Sequence, residues 1–232
     1  MPSPLIIGHR GASAVAPENT LAAFEGAIAA GADGIEFDVR LSRDGVPVVI
    51  HDETLQRTAR VRRRVADMSV DELNEFNVPS LTQLFELFES NSLRLYLEIK
   101  SSETALVEEC CGLVEEYRLQ HRVIFECFEH SLLTMVRNID AEFKIAPLFQ
   151  PPSSFILRKA LAVHAEEIAL HHRLTNKRIV EKANDANLKV VTWTVDDPSW
   201  VQRAREIDVH ALITNNPAAL IAARDALPIP SV

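Results

Sequence analysis

The chain has 232 residues, 47% of them hydrophobic and 25% charged, which is enough for one well-buried domain. Its net charge of −9 opposes nucleic acid and anionic membrane surfaces in bulk, so an anionic substrate needs local positive charge or a metal ion. The three cysteines, Cys110, Cys111 and Cys127, match no metal or redox spacing, and free thiols suit a reducing, cytoplasmic setting.

The opening MPSPLIIGHRG has neither the basic region nor the long apolar run of a secretory signal, and no stretch of the chain is long enough to span a bilayer. Leu5-Ile6-Ile7 reads as a short buried strand ending at Gly8-His9-Arg10-Gly11. His9 offers a proton-transfer group and Arg10 a planar fork that matches phosphate oxygens. Asn19 or Thr20 can cap a helix running to about Ala30, with Leu21, Phe24 and Ile28 as its buried stripe.

The run 33–52, DGIEFDVRLSRDGVPVVIHD, is the centre of the chemistry. On a strand, Glu36 and Asp38 share one face while Ile35, Phe37 and Val39 take the other. Two acids on one face of an apolar strand repel each other and lose hydration, and a divalent cation offsets that cost. A salt-bridged sheet face is the competing explanation. Asp44-Gly45 marks a turn, and a second strand from Pro47 to Ile50 ends at His51-Asp52. The link is too short for a helical crossover, so the pair forms a hairpin or an extended return.

Residues 53–80 are polar and carry Arg60, Arg62, Arg63 and Arg64, a run that reads as a solvated loop or, alternatively, as an electrostatic rim that partly offsets the acidic field near an anionic substrate. The segment is short, leaving little chain to build a lid. Ser80 caps a helix over 81–90 whose buried face is Leu81, Leu84, Phe85 and Phe88. LRLYLEIK at 93–100 alternates, with Leu93, Leu95, Leu97 and Ile99 on one face and Arg94, Tyr96, Glu98 and Lys100 on the other. In an α/β barrel the second set points inward, which makes Glu98 a third acid with Lys100 beside it. An internal Glu98–Lys100 charge pair is compatible with that placement.

Helix and strand then alternate to the end, with strands expected at 122–127, 143–148, 167–170, 188–195 and 211–214. This alternation predicts a parallel sheet closed as a (β/α)8 TIM barrel, a single domain over 1–232. Nine candidate strands compete for eight places, with 167–170 the weakest.

GHRG with PENT, EFDVRLSRDGVPVVIHDETLQRT, LEIK and VVTWTV, in this order, resembles the glycerophosphodiester phosphodiesterase family of phospholipase-C-like phosphodiesterase barrels. The resemblance spans nearly the whole chain. It implies metal-dependent hydrolysis of glycerophosphodiesters to glycerol 3-phosphate and an alcohol. It implies His9 and His51 as the acid/base pair, Glu36, Asp38 and Glu98 as ligands of one Mg²⁺ or Ca²⁺, Arg10 and Lys100 as phosphate contacts, and Trp193 on the glycerol side of the pocket. It further implies attack by the neighbouring glycerol hydroxyl, giving a cyclic phosphate that water then opens, with direct attack by water as the alternative route. The alternatives are a lysophospholipase D-type activity and a non-catalytic barrel that binds glycerophosphodiesters. Three departures stand out. The capping insertion after the His51-Asp52 strand is reduced. The fifth barrel strand ends Glu126-Cys127-Phe128 where Ser-Phe is usual, and the last ends Thr214-Asn215 where Thr-Asp is usual.

Overall fold

The computed structural model describes residues 2–228. Eight parallel strands close on themselves: β1 (Leu5–His9), β2 (Gly34–Leu41), β4 (Arg94–Ile99), β5 (Val123–Cys127), β6 (Lys144–Phe149), β7 (Glu167–His171), β8 (Lys189–Trp193) and β9 (Ala211–Thr214). β1 pairs with both β2 and β9, which seals the ring. The odd strand is β3 (Pro47–Val49), which lies antiparallel to β2 outside the ring. The hairpin alternative therefore holds, and the weak candidate at 167–170 is a full member of the barrel.

The helices are α1 (Leu21–Ala29), α2 (Val70–Asn74), α3 (Leu81–Phe88), α4 (Thr104–Glu116), α5 (His130–Ile139), α6 (Ile156–Ala162), α7 (Lys177–Asp185), α8 (Ser199–Ile207) and α9 (Pro217–Asp225). Local sequence fixes several of their starts. Thr20 accepts a bond from the Ala23 amide, and Ser80 with Gln83 forms a reciprocal capping box. Each such cap contributes about 1 kcal/mol.

Period-two patterning decides what each strand shows to either side. Ile35, Phe37, Val39, Leu95, Leu97 and Ile99 are buried outward among the helices, where Phe24 packs edge-on against Phe37 at 6.3 Å and Phe88 at 6.1 Å. Burying each such side chain stabilises by about 1.5–3 kcal/mol. Ile7, Tyr96, Ile124, Ala169, Val191 and Ile213 fill the ring from within. A one-residue slip would swap the two sets, so the register that buries the phenylalanines also turns Glu36, Asp38 and Glu98 inward.

The segment 53–80 is more than a solvated loop. Thr54 bridges Arg64, a 3₁₀ turn covers Val65–Asp67, and α2 opens with a Ser69–Glu72 capping box. Val48, Ile50, Leu55, Val65, Met68, Leu73 and Val78 form its own buried cluster. The small cap is thereby held rigidly against β3, although Arg60, Arg62 and Arg64 do point to solvent as a loop reading expects. Among the described residues no helix is long and apolar enough to cross a membrane.

Candidate active site

The carboxylates read from strand parity converge. Glu36, Asp38 and Glu98 are buried at the C-terminal end of the ring, each offering an oxygen within 4.8 Å of the others. β2 and β4 run in register with Asp38 beside Glu98, so pairing of the two strands alone brings these acids together. Lys100 Nζ donates to Glu98 Oε1 at 2.8 Å and lies 3.4 Å from Asp38 Oδ1. The expected Glu98–Lys100 pair is therefore present inside the acid cluster.

Burial would raise Asp38, but Arg10 and Lys100 outweigh it and hold its carboxyl below the usual range. Glu36 goes the other way, pushed well up by burial and by the charge on Asp38. Glu98 is pushed up to about 7 by burial and again by Asp38. Three buried acids that protein cations neutralise only in part are suited to a hard divalent ion. Asp38 Oδ1 is buried and makes no hydrogen bond, its nearest cation being Lys100 Nζ at 3.4 Å, so this oxygen keeps acceptor capacity that a cation can use.

His9 and Arg10 end β1. Arg10 adopts φ 55°, and at Gly11, with φ +85°, a Cβ would come within 2.5 Å of the Ala23 carbonyl carbon. This tight turn returns the Arg10 amide to Glu36, to its carbonyl at 2.8 Å and its Oε2 at 3.0 Å. The guanidinium lies 3.0 Å from Asp38 Oδ2 through Nε and donates to Glu18 at 2.8 Å. His9 Nδ1 bonds to Asn215 Oδ1 at 2.7 Å, and Asn215 Nδ2 donates to Asp196 at 2.7 Å. That second bond fixes the Asn215 amide, so His9 carries its proton on Nδ1 and turns a free Nε2 towards Glu36, 3.8 Å away. Burial and the Arg10 charge lower the His9 pKa.

His51 follows β3. Arg40 donates to its carbonyl at 2.8 Å, and its Nδ1 donates to Asp52 Oδ1 at 2.7 Å. Burial lowers the His51 pKa against the pull of Asp38 and Asp52. Asp52 is held at about 2, chiefly by its hydrogen bond from Arg57.

A cavity of about 160 Å³ joins His9, Arg10, Glu36, His51, Glu98 and Lys100, with Trp193, Phe128 and Leu148 forming its apolar wall. Trp193 meets Phe128 edge-on at 5.7 Å. Beyond His51 a second cleft of about 800 Å³ opens between α1, β3 and the cap, lined by Glu18, Arg57, Asn74, Phe76 and Asn77. The larger cleft does not contain the acid cluster; His51 borders both spaces. The eight residues singled out from the sequence thus gather around one small cavity or, for Asp38, directly behind it.

Sequence reasoning missed several partners. Arg40 shares the strand parity of Glu36 and Asp38. Asn19 donates to Asp38 Oδ2 at 2.8 Å, and Glu18, Asp52 and Arg57 link the two histidine-bearing loops. PENT and HDETLQRT contain four of these, so the motifs held the signal without the roles. Asn215, noticed only as a departure at the last strand, orients His9. Glu126 is buried in the cavity wall, its carboxyl pushed well up by burial and by Glu36.

The model of the Glycerophosphoryl diester phosphodiesterase family matches residues 9–219. A glycerophosphodiester phosphodiesterase of Caldanaerobacter subterraneus subsp. tengcongensis is 34% identical over 235 residues, covering 94% of this chain and 96% of that protein. The crystal structure of a glycerophosphodiester phosphodiesterase from Thermotoga maritima superposes with a TM-score of 0.82 at 27% identity, covering 97% of this chain and 100% of that one. An Oleispira antarctica phosphodiesterase in complex with the product sn-glycerol-3-phosphate shares the fold, with a TM-score of 0.89 at 24% identity over 97% and 98% of the two chains. With its barrel closed and its site residues gathered at one end, this chain belongs to the glycerophosphoryl diester phosphodiesterase family.

Proposed function

We propose that this chain, acting as one catalytic domain over 1–232, hydrolyses glycerophosphodiesters to glycerol 3-phosphate and an alcohol. The observation that carries the reading is the meeting of three buried carboxylates, two imidazoles with ordered tautomers and two cations around one cavity of about 160 Å³. Glu36, Asp38 and Glu98 would hold one Mg²⁺ or Ca²⁺, which supplies neutralisation of the phosphate charge.

The chain's own groups divide the remaining work. Arg10 and Lys100 bind the phosphate oxygens, the Arg10 fork already set by Glu18 and Asp38. Trp193 packs on the glycerol carbons. His9, neutral and with Nε2 free, takes the proton of the attacking hydroxyl. His51 borders the larger cleft, where the alcohol end lies, and gives a proton to the departing alkoxide. Ionised Asp52 supports the charged imidazole that this step needs. The neighbouring glycerol hydroxyl serves as nucleophile, and water opens the cyclic phosphate with the two imidazoles exchanging roles.

The cavity of about 160 Å³ suits a glycerol end and leaves little room for an acyl chain, which favours glycerophosphodiesters over lysophospholipids. The buried free thiols agree with a cytoplasmic setting. A panel of glycerophosphocholine, glycerophosphoethanolamine, glycerophosphoinositol and lysophospholipids, assayed with and without chelator, tests the reading. The expected result is glycerol 3-phosphate from the first three only and only with a divalent cation. Turnover of lysophospholipids alone, or of none, would overturn it.

A further inference from the structure

The cap contributes one side chain that the reading above does not use. Arg57 stands at the mouth between two carboxylates. Its Nε donates to Asp52 Oδ2 at 2.6 Å, while its two terminal nitrogens donate to Glu18 Oε1 and Oε2, each at 2.7 Å. Asp52 uses its other oxygen for His51 Nδ1 at 2.7 Å, and Glu18 Oε1 also accepts from Arg10 at 2.8 Å. An unbroken line of charge-assisted bonds therefore runs from the imidazole of His51 through Asp52, Arg57 and Glu18 to the guanidinium of Arg10.

Two features separate this from an ordinary surface ion pair, which contributes little. First, Arg57 binds Glu18 with both terminal nitrogens while holding a second carboxylate through Nε, a planar fork that a lysine ammonium does not reproduce. Second, both carboxylates it holds are orienting other groups. Without Arg57, Asp52 keeps its bond to His51 but loses what fixes its own rotamer, and Glu18 loses half of its partners. Three of the five guanidinium N–H groups, one on each nitrogen, go to these carboxylates, which set the plane and position of the Arg57 side chain.

We propose that Arg57 is a positioning residue, holding His51 through Asp52 and Arg10 through Glu18 so that the proton donor and the phosphate clamp keep one mutual geometry. This rests on the roles given above to His51 and Arg10. It also gives the small cap, whose own core flanks the single bridge between Thr54 and Arg64, a part in catalysis beyond covering the barrel.

The test compares Arg57→Ala, Arg57→Lys, Asp52→Asn and the Arg57→Ala/Asp52→Asn double variant for kcat and KM on glycerophosphocholine, with thermal melts. Arg57→Ala is expected to lower kcat by about 10–100-fold, the scale seen when a residue that orients a site ligand is removed. Arg57→Lys should restore little of it, and added methylguanidinium should recover part of the rate in Arg57→Ala but not in His51→Ala. The double variant should lose far less than the product of the two single losses, because both act on His51. Melts separate a folding defect from a catalytic one, and Arg57→Lys keeps the test alive if the alanine variant does not fold. Arg57→Ala at the wild-type rate, full restoration by lysine, or a loss confined to KM with no rescue would overturn the proposal. In each of those cases an inactive His51→Ala would leave the role given to His51 standing; a fully active His51→Ala would remove that role itself, with hydrolysis still observed.

Discussion

The barrel holds two clusters of buried charge, one at each end. At the N-terminal end Glu167, 2% exposed, accepts from Tyr96 Oη at 2.9 Å and Arg94 at 3.0 Å. One acid there meets two donors and both its oxygens are matched, although the neighbouring His210 Nε2, 3.9 Å from Glu167, is buried without a hydrogen-bond partner. At the C-terminal end three acids face Arg10, Lys100 and Asn19, and Asp38 Oδ1 has no hydrogen-bond partner. Both clusters come from inward-facing positions, and three of their residues, Arg94, Tyr96 and Glu98, share β4. A protein tolerates an unbalanced buried cluster where function needs it; the balanced one is ordinary structure.

Substitutions should separate the two ends most sharply. His9→Ala and His51→Ala are each expected to lower kcat by about 10²–10⁴-fold, the scale of one general acid or base, with little change in melting temperature. Steady-state kinetics beside a melt checks this, and a near-wild-type rate would take that histidine out of the mechanism. Glu167→Gln should do the reverse. It weakens charge-assisted bonds worth about 1.5–3 kcal/mol and leaves kcat per folded molecule unchanged, as urea unfolding and active-site titration would show.

Two groups, one at each end, differ in the sign of the pH dependence they contribute. Glu98 is held at about 7 in the folded chain against an ordinary 4.5. Between those values the folded state keeps a proton that the unfolded state has released, so stability of the cation-free protein falls as pH rises through the window. His210, beside the lower cluster, is pushed down to about 4 from 6.5 by burial first and by Lys189 next. There the unfolded state takes up the proton first, so stability falls as pH drops from 6.5 towards 4. The two windows overlap between pH 4.5 and 6.5, where the contributions oppose each other, so variants separate them in urea midpoints. Glu98→Gln should make the slope of stability against pH there more positive and His210→Gln more negative; unchanged slopes would break the contrast.

The smallest effect concerns the alcohol. The cleft beside His51 is about five times the volume of the catalytic cavity, roomy enough for many head groups. Choline, ethanolamine, glycerol and inositol esters should therefore differ in kcat/KM by less than about tenfold. A preference above about a hundredfold would mean that the cap selects its alcohol closely.

Much of this was legible in the sequence because strand periodicity is a strong signal. Parity turns Glu36, Asp38 and Glu98 towards one side of their strands, and the family resemblance joins the three at one ion. The residues that hold the site in shape were harder to see. Asn215 reaches His9 across a sequence separation of 206, and Arg57 reaches Glu18 across 39. Neither bond leaves a local pattern, since each depends on closure of the ring and folding of the cap. The 53–80 segment misled for a related reason. Its buried residues Leu55, Val65, Met68 and Leu73 are too sparse to show a period, and they become a core only when folded back on Val48 and Ile50.

The central claim is that the unbalanced cluster is a cation site serving phosphodiester hydrolysis. The direct measurement is release of glycerol 3-phosphate from glycerophosphocholine by exhaustively chelated enzyme, before and after addition of Mg²⁺ or Ca²⁺, for the wild type and Asp38→Asn. The account predicts no release from the stripped wild type, recovery with one of the two ions, and no recovery in Asp38→Asn. Full activity in the metal-free wild type would contradict it.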